Sequence, residues 1–346
     1  MNVVFAWFTS DLPRKYESAA RLALARSRIA LLALVIRQDP LNSLLSLRNV
    51  LVTGKGGVGK TTVAASLARW AAKHGKRTLL AEITTDSENA SPLAQALGIA
   101  SIPEAPLEIA ENLRAVVLSP ALGHQRFLRD VLPMRLLADA AMRSGAIRRF
   151  LSAAPTFPEM GVLYRLLELV RETRPDGSWE HELIVVDLPA TGHALALAQI
   201  PAAVLRVIPG GPIVAAVKEG LALLRDPRRT GAVIVTLPET LPVSEALELV
   251  RGLETHEVPI AQLVLNRVPP NPLTDGEQAF LGKWLEGRPP TLGARTLERI
   301  ARARDALHRS KAATRVPVVT LEDLGLEEPR LASELAERFA QEEQSP

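Results

Sequence analysis

Gly54-Lys55-Gly56-Gly57-Val58-Gly59-Lys60-Thr61 satisfies the pattern G-x-x-x-x-G-K-[ST], and its flanks fit the architecture that this pattern requires. The apolar run Asn49–Thr53 reads as a short buried strand entering it. Thr61–His74 reads as a helix leaving it, with Ala, Leu and Trp70 recurring on one face and Gly75 placed to end it. Glycines let successive backbone N–H groups turn inward and approach phosphate oxygens with no Cβ in the way. The helix N-terminus adds partial positive charge. The spacing therefore predicts a phosphate-binding loop over Gly54–Thr62. In such a loop Lys60 reaches the β- and γ-phosphates of ATP, and the Thr61 hydroxyl is the expected Mg²⁺ ligand.

Outward from this loop, strands alternate with helices. Arg77–Ile83, Leu183–Asp187, Ala232–Leu237, Gln262–Asn266 and Val316–Thr320 are β-branched, nearly uncharged runs that read as buried strands. Ser244–Leu253 and Arg330–Gln344 read as helices, with Pro329 suited to the first turn of the last one. This alternation predicts an α/β fold: a mostly parallel sheet with helices on both faces. Residues 121–173 break the rhythm. Phe127–Leu132, Met134–Phe150 and Glu159–Glu172 are helical pieces separated by Pro133, Pro155 and Pro158, and together they read as a helical insertion. Residues 1–47 differ from the rest. Ser18–Ile36 could form one helix, broken by Asp39-Pro40, and is either an accessory amphipathic helix or a stretch ahead of the true start. The expected division is thus an N-terminal extension, 1–47, and a P-loop domain, 48–346.

Composition removes several classes of chemistry. The chain of 346 residues contains no cysteine, which excludes disulfides, thiolate metal sites and iron–sulfur clusters. At 47% hydrophobic and 23% charged it can build a core. The net charge is +3, and the basic residues are spread along the chain, so solvated helix faces explain them better than a nucleic-acid stripe. The apolar run Ile29–Ile36, between Arg28 and Arg37, is too short to span a bilayer. No signal-peptide pattern is read, and a cytoplasmic protein is expected, with transient membrane association left open.

Lys55 adds a further mark. A lysine directly after the first glycine resembles the deviant Walker A group, which includes ParA, MinD, the nitrogenase iron protein and the ArsA/Get ATPases. In those families this lysine acts across a dimer interface on the partner's nucleotide. The resemblance therefore implies a dimer with Lys55 acting in trans, although a loop lysine by itself is more simply a solvated one. A second segment selects the branch. Asp187-Leu188-Pro189-Ala190-Thr191-Gly192-His193 follows the buried strand Leu183–Asp187. It resembles the D-T-A-P-T-G-H switch II of arsenite-pump and Get-pathway ATPases, with the proline one position earlier. The resemblance implies that Asp187 holds Mg²⁺ through water and that His193 couples nucleotide state to the helical insertion. Outside that context His193 would be an ordinary loop or capping histidine.

Other motifs run in the family's order. Ile83-Thr84-Thr85-Asp86 is similar to switch I, S-T-D-P-A-H, and places Asp86 at the aspartate that orients the attacking water. Here Ser87-Glu88-Asn89 follow instead of P-A-H, and an Asx turn or helix cap is the alternative for Asp86. Thr236-Leu237-Pro238-Glu239 with Pro242-Val243-Ser244-Glu245 resembles the strand–turn–helix of bacterial relatives. Asn266 matches the family's adenine-recognising asparagine, and Val316-Pro317-Val318 the strand whose loop borders the base. The chain resembles this family over about residues 48–340.

The resemblance implies a Mg-dependent ATPase working as a homodimer, or as a heterodimer with a paralogue, with Lys55, Lys60, Asp86, Asp187 and His193 as catalytic residues. Gly54 to Thr62 and Asn266 would hold the nucleotide. It also implies targeting or chaperoning of a hydrophobic protein client. The alternatives are a MinD/ParA-like positioning ATPase and a low-activity regulatory partner of a paralogous ATPase. Without cysteine neither a thiolate metalloid site nor a C-x-x-C zinc can form. A client groove in the segment Phe127–Leu167 and simple packing of its apolar residues are both open.

Overall fold

The structure, a computed structural model, describes residues 41–83, 91–131, 157–189, 195–199, 212–286 and 292–342. The expected helix Ser18–Ile36 and the middle piece of the insertion, Met134–Phe150, lie outside the described residues. The chain divides into residues 1–43 and residues 44–346. All elements below belong to the second.

Eight strands form one sheet: β1 (Asn49–Gly54), β2 (Thr78–Ile83), β3 (Leu107–Ala110), β4 (Leu113–Leu118), β5 (Leu183–Asp187), β6 (Thr230–Thr236), β7 (Ile260–Val268) and β8 (Val318–Glu322). Their spatial order is β3-β4-β2-β5-β1-β6-β7-β8. Every pairing is parallel except β3 with β4, an antiparallel edge that the sequence pattern did not show. The six expected strands are present, with ends shifted by a few residues: β6 starts at Thr230 and β7 runs on to Val268.

The described helices are α1 (Lys60–Lys73), α2 (Pro92–Leu97), α3 (Pro120–Val131), α4 (Phe157–Arg171), α5 (Pro212–Arg225), α6 (Thr240–Thr255), α7 (Asp275–Leu285), α8 (Leu292–Ala313) and α9 (Arg330–Glu342). Strand side chains alternate between faces, and both faces are covered. Leu51, Leu79, Ala81, Ile184, Val186, Ala232 and Ile234 join α4, α5 and α6 in one core cluster. The alternate residues Val50, Val52, Leu80, Val185 and Val233 are buried as well, as expected of a doubly covered parallel sheet. Helix α1 lies on β1, β2 and β5, and α9 lies on α1. Trp70 of α1 meets Phe339 of α9 edge to face, their ring centroids 6.4 Å apart. The two are among the largest fully buried side chains, and they tie the C-terminal helix to the helix that leaves the phosphate loop.

Local signals end α1 as expected. Gly75 has φ 76°, its N–H donates to the Ala72 carbonyl, and the Lys76 N–H donates to the Ala71 carbonyl. Pro329, in contrast, precedes α9 and does not lie in its first turn. There the Glu328 carboxylate accepts from the Ala332 N–H at 3.2 Å and satisfies a helix N-terminal donor. Helix α4 is bound to the sheet from below: Arg48, just before β1, donates to the carbonyls of Val170, His181 and Glu182 at 2.6–3.0 Å. The apolar side chains of α4, from Met160 through Leu163 and Leu167 to Val170, are buried in the sheet core. This last piece of the helical stretch 121–173 is therefore a structural member of the main domain.

Because the strands are parallel, Gly54, Ile83, Asp187, Thr236 and Asn266 all come to one edge. The chain leaves β1 toward β2 on one side, and later crosses to β6 on the other. That change of direction beside β1 is where open α/β sheets place their ligand sites.

Candidate functional site

The phosphate loop is formed by two backbone positions that accept only glycine. Gly54 ends β1 at φ 149°, where a Cβ would lie 2.2 Å from the Val235 carbonyl oxygen of neighbouring β6. Gly59 precedes α1 at φ 89°, and a Cβ there would lie 2.3 Å from Nδ2 of Asn266. Asn266 is 5% exposed, and its Nδ2 donates to the Val58 carbonyl at 2.9 Å. The side chain expected at the base is thus also a brace from β7 to the loop. Gly56 and Gly57 have open space where a Cβ would be.

The sequence-expected residues converge as follows. Thr61, the second residue of α1, donates from Oγ1 to Oδ2 of Asp187 at 2.6 Å. Register explains this: β5 is the direct neighbour of β1, with Val52 opposite Asp187. Asp187 is 6% exposed, and its Oδ1 is buried with no hydrogen-bond partner. Burial pushes its carboxyl up to about 6; the Thr61 hydrogen bond and the Lys60 charge pull it back, and Glu82 opposite it on β2 adds to the rise. Lys60 donates from Nζ to the Lys55 carbonyl at 2.8 Å, and burial lowers its pKa, partly offset by Asp187. Thr62 points elsewhere: its hydroxyl donates to Glu328 Oε1 at 2.5 Å, ahead of α9. Lys55 is half-exposed, and its ammonium pairs with the Glu245 carboxylate of α6. Asp86 and His193 lie outside the described residues.

Three carboxylates of the site were not assigned roles from the sequence. Glu245 sat in a recognised segment, but only the fold brings it to Lys55. Glu328 is 266 residues from Thr62. Glu82 is buried and accepts from the Ser91 hydroxyl and, at 3.3 Å, from the Leu93 N–H, so it ties the start of α2 to the end of β2. The readable signal was Ser91-Pro92, a helix cap followed by an N1 proline.

Beside the loop, a cleft of about 270 Å³ opens over the carboxyl ends of β6, β7 and β8, lined by Pro238, Glu239, Arg267, Pro269, Arg299 and Asp323, among others. A larger cavity of about 500 Å³, near Arg69, Asn112 and Ser333, lies at the opposite edge of the sheet and takes no part in this site.

A parallel sheet with a glycine loop after β1, a helix starting Lys-Thr and an acidic residue ending the neighbouring strand defines a P-loop nucleotide-binding protein. The chain matches the anion-transporting ATPase family over residues 47–209. It is 32% identical over 242 residues to ATPase BagA of Mycobacterium tuberculosis, covering 68% of this chain and 69% of that one. It is 31% identical over 216 residues to the arsenical pump-driving ATPase of Escherichia coli, covering 59% and 32% of the two chains. To ATPase GET3 of Chaetomium globosum it is 29% identical over 274 residues, covering 67% and 76%. The chain belongs to this family and is an ATPase of the ArsA/Get type. Among the described residues no helix is long and apolar enough to cross a membrane.

Proposed function

We propose that the chain binds Mg·ATP at Gly54–Thr62, hydrolyses it to ADP and phosphate, and works as a dimer in which Lys55 reaches the nucleotide of the second copy. One observation carries the nucleotide site. The Thr61 hydroxyl and a buried Asp187 carboxylate face each other at 2.6 Å, and the second Asp187 oxygen has no partner. Hard oxygen donors poised together at the mouth of a phosphate loop fit Mg²⁺. Thr61 would hold it directly and Asp187 through water. When bound, the ion neutralises charge on the phosphates.

The chain's own residues do the rest. Loop N–H groups and the α1 N-terminus hold phosphate oxygens. Lys60 exchanges the Lys55 carbonyl for the β- and γ-phosphates. Asp86 orients the attacking water, while Asp187 and His193 transmit the state of the site. The base lies in the cleft beside Asn266, between the ends of β6, β7 and β8. Charge on the transferring phosphoryl group is met by preorganised donors, the usual source of catalysis in phosphoryl transfer.

The output is a nucleotide-driven switch that targets or chaperones a hydrophobic protein client. The apolar side chains of α4 from Met160 to Val170 are buried and are not available to a client. An apolar dye that binds more strongly with Mg·ATP than without nucleotide supports this output; equal binding in both states refutes it.

The dimeric ATPase is tested by steady-state hydrolysis against protein concentration for wild type and Lys55→Ala. Specific activity should rise with concentration and collapse in the variant. A concentration-independent rate that survives the substitution overturns the trans-lysine reading.

A further inference from the structure

Lys55 is engaged by its own chain at two points. Its ammonium pairs with Glu245, 190 residues away in sequence. Its carbonyl accepts from the Lys60 ammonium. Glu245 reaches the loop because α6 begins at Thr240, just past the end of β6, and β6 is the direct neighbour of β1. The same stretch of α6 is held in place: the Ser244 hydroxyl donates to the Thr240 carbonyl at 3.0 Å and accepts from Arg309 of α8 at 3.1 Å. The carboxylate is therefore presented from a fixed helix.

The pair is suited to exchange. The Lys55 side chain is 54% exposed and that of Glu245 is 24%. Ion pairs at such positions are weak, because water competes with them. A polyphosphate carries more charge than one carboxylate and makes stronger charge-assisted bonds. A nucleotide entering the loop also draws Lys60 away from the Lys55 carbonyl, removing the second hold.

We propose that Glu245 is a positioning residue that parks Lys55 in cis, and that nucleotide in a chain's own loop frees Lys55 for the nucleotide of a second copy. This rests on the trans-lysine reading above. It makes association conditional on an occupied site: an empty chain keeps its reaching lysine neutralised, and a loaded one offers it.

Two measurements on the full chain test this. The first is acylation of Lys55 by an amine-reactive ester in nucleotide-free protein, read by peptide mass against exposed Lys283. Glu245→Gln should raise Lys55 labelling by about two- to fivefold, the range set by pairs of this exposure, and Glu245→Asp should restore most of the protection. The second is hydrolysis against protein concentration. In Glu245→Gln the half-maximal concentration should fall by a similar factor, with a saturating rate not below that of wild type.

Unchanged Lys55 labelling, an unmoved or higher half-maximal concentration, or a lower saturating rate overturns the proposal. The last outcome would assign Glu245 to the assembled state. Should Glu245→Gln not fold, wild type decides: raising salt screens the pair and should raise Lys55 labelling relative to Lys283, and no change overturns the proposal. If Lys55→Ala keeps the wild-type concentration dependence, the trans reading fails by itself, while the labelling result still reports whether Glu245 holds the lysine.

Discussion

Gly59→Ala and Asn266→Ala should be coupled, because the two residues compete for one space. A Cβ at Gly59 would lie 2.3 Å from the Asn266 amide nitrogen, and φ there is 89°. An L side chain in that backbone region costs about 1–2 kcal/mol. The amide must also withdraw, which breaks its 2.9 Å bond to the buried Val58 carbonyl. Leaving that carbonyl unsatisfied adds about 1–3 kcal/mol. Gly59→Ala should therefore destabilise the nucleotide-free protein by roughly 2–5 kcal/mol.

Asn266→Ala loses the same bond, for about 1–3 kcal/mol. In the double variant the new methyl meets no amide, and the shared bond can be lost only once. The double variant should then fall short of the sum by about 1–3 kcal/mol. Urea denaturation of the four proteins, read as midpoints at constant slope, measures this directly. Additivity to within about 0.5 kcal/mol would refute the brace. ATP affinity should fall in all three variants, since each disturbs the loop that holds the phosphates.

Asp187→Asn should lower Mg-dependent turnover on the order of 100-fold, while nucleotide binding persists; retention of wild-type turnover would remove Asp187 from the metal site. A chelator should abolish hydrolysis and added Mg²⁺ restore it, followed by phosphate release. Trp70→Ala should cost about 3–5 kcal/mol in a denaturant melt, because the ring is buried between α1 and Phe339 of α9. Glu328→Ala should cost about 0.5–2 kcal/mol by thermal melt, since it removes the acceptor for the Ala332 N–H and for Thr62.

How much of this was legible beforehand depends on the range of the forces involved. The phosphate loop, the strand entering it, the helix leaving it and the Gly75 stop are local. They follow from glycine at left-handed positions, apolar periodicity and capping within a few residues, and so they could be read in order along the chain. The buried strands were visible because a sheet covered on both faces demands unbroken apolar runs. The antiparallel strand β3 was not, because Leu107–Ala110 is an edge strand of four residues with none fully buried. Helix α7 buries none of its residues, although Phe280, Leu281, Trp284 and Leu285 recur at helical spacing and the Thr274–Glu277 capping box marks its start. Pro329 was placed one step too far, since proline chemistry suits both the turn before a helix and its first position.

The sequence by itself determined which groups this protein owns: a glycine loop, Lys55, Lys60, Thr61, an acidic residue ending a strand, and no thiol. Strand order decided which of them meet. Placing β5 and β6 on either side of β1 brings Asp187 to Thr61 from 126 residues away and Glu245 to Lys55 from 190. The β7 register brings Asn266 to the Val58 carbonyl from 208. Hydrogen bonds and ion pairs act over a few ångströms and carry no sequence-local pattern, so such partners become apparent only once the sheet has put their strands side by side.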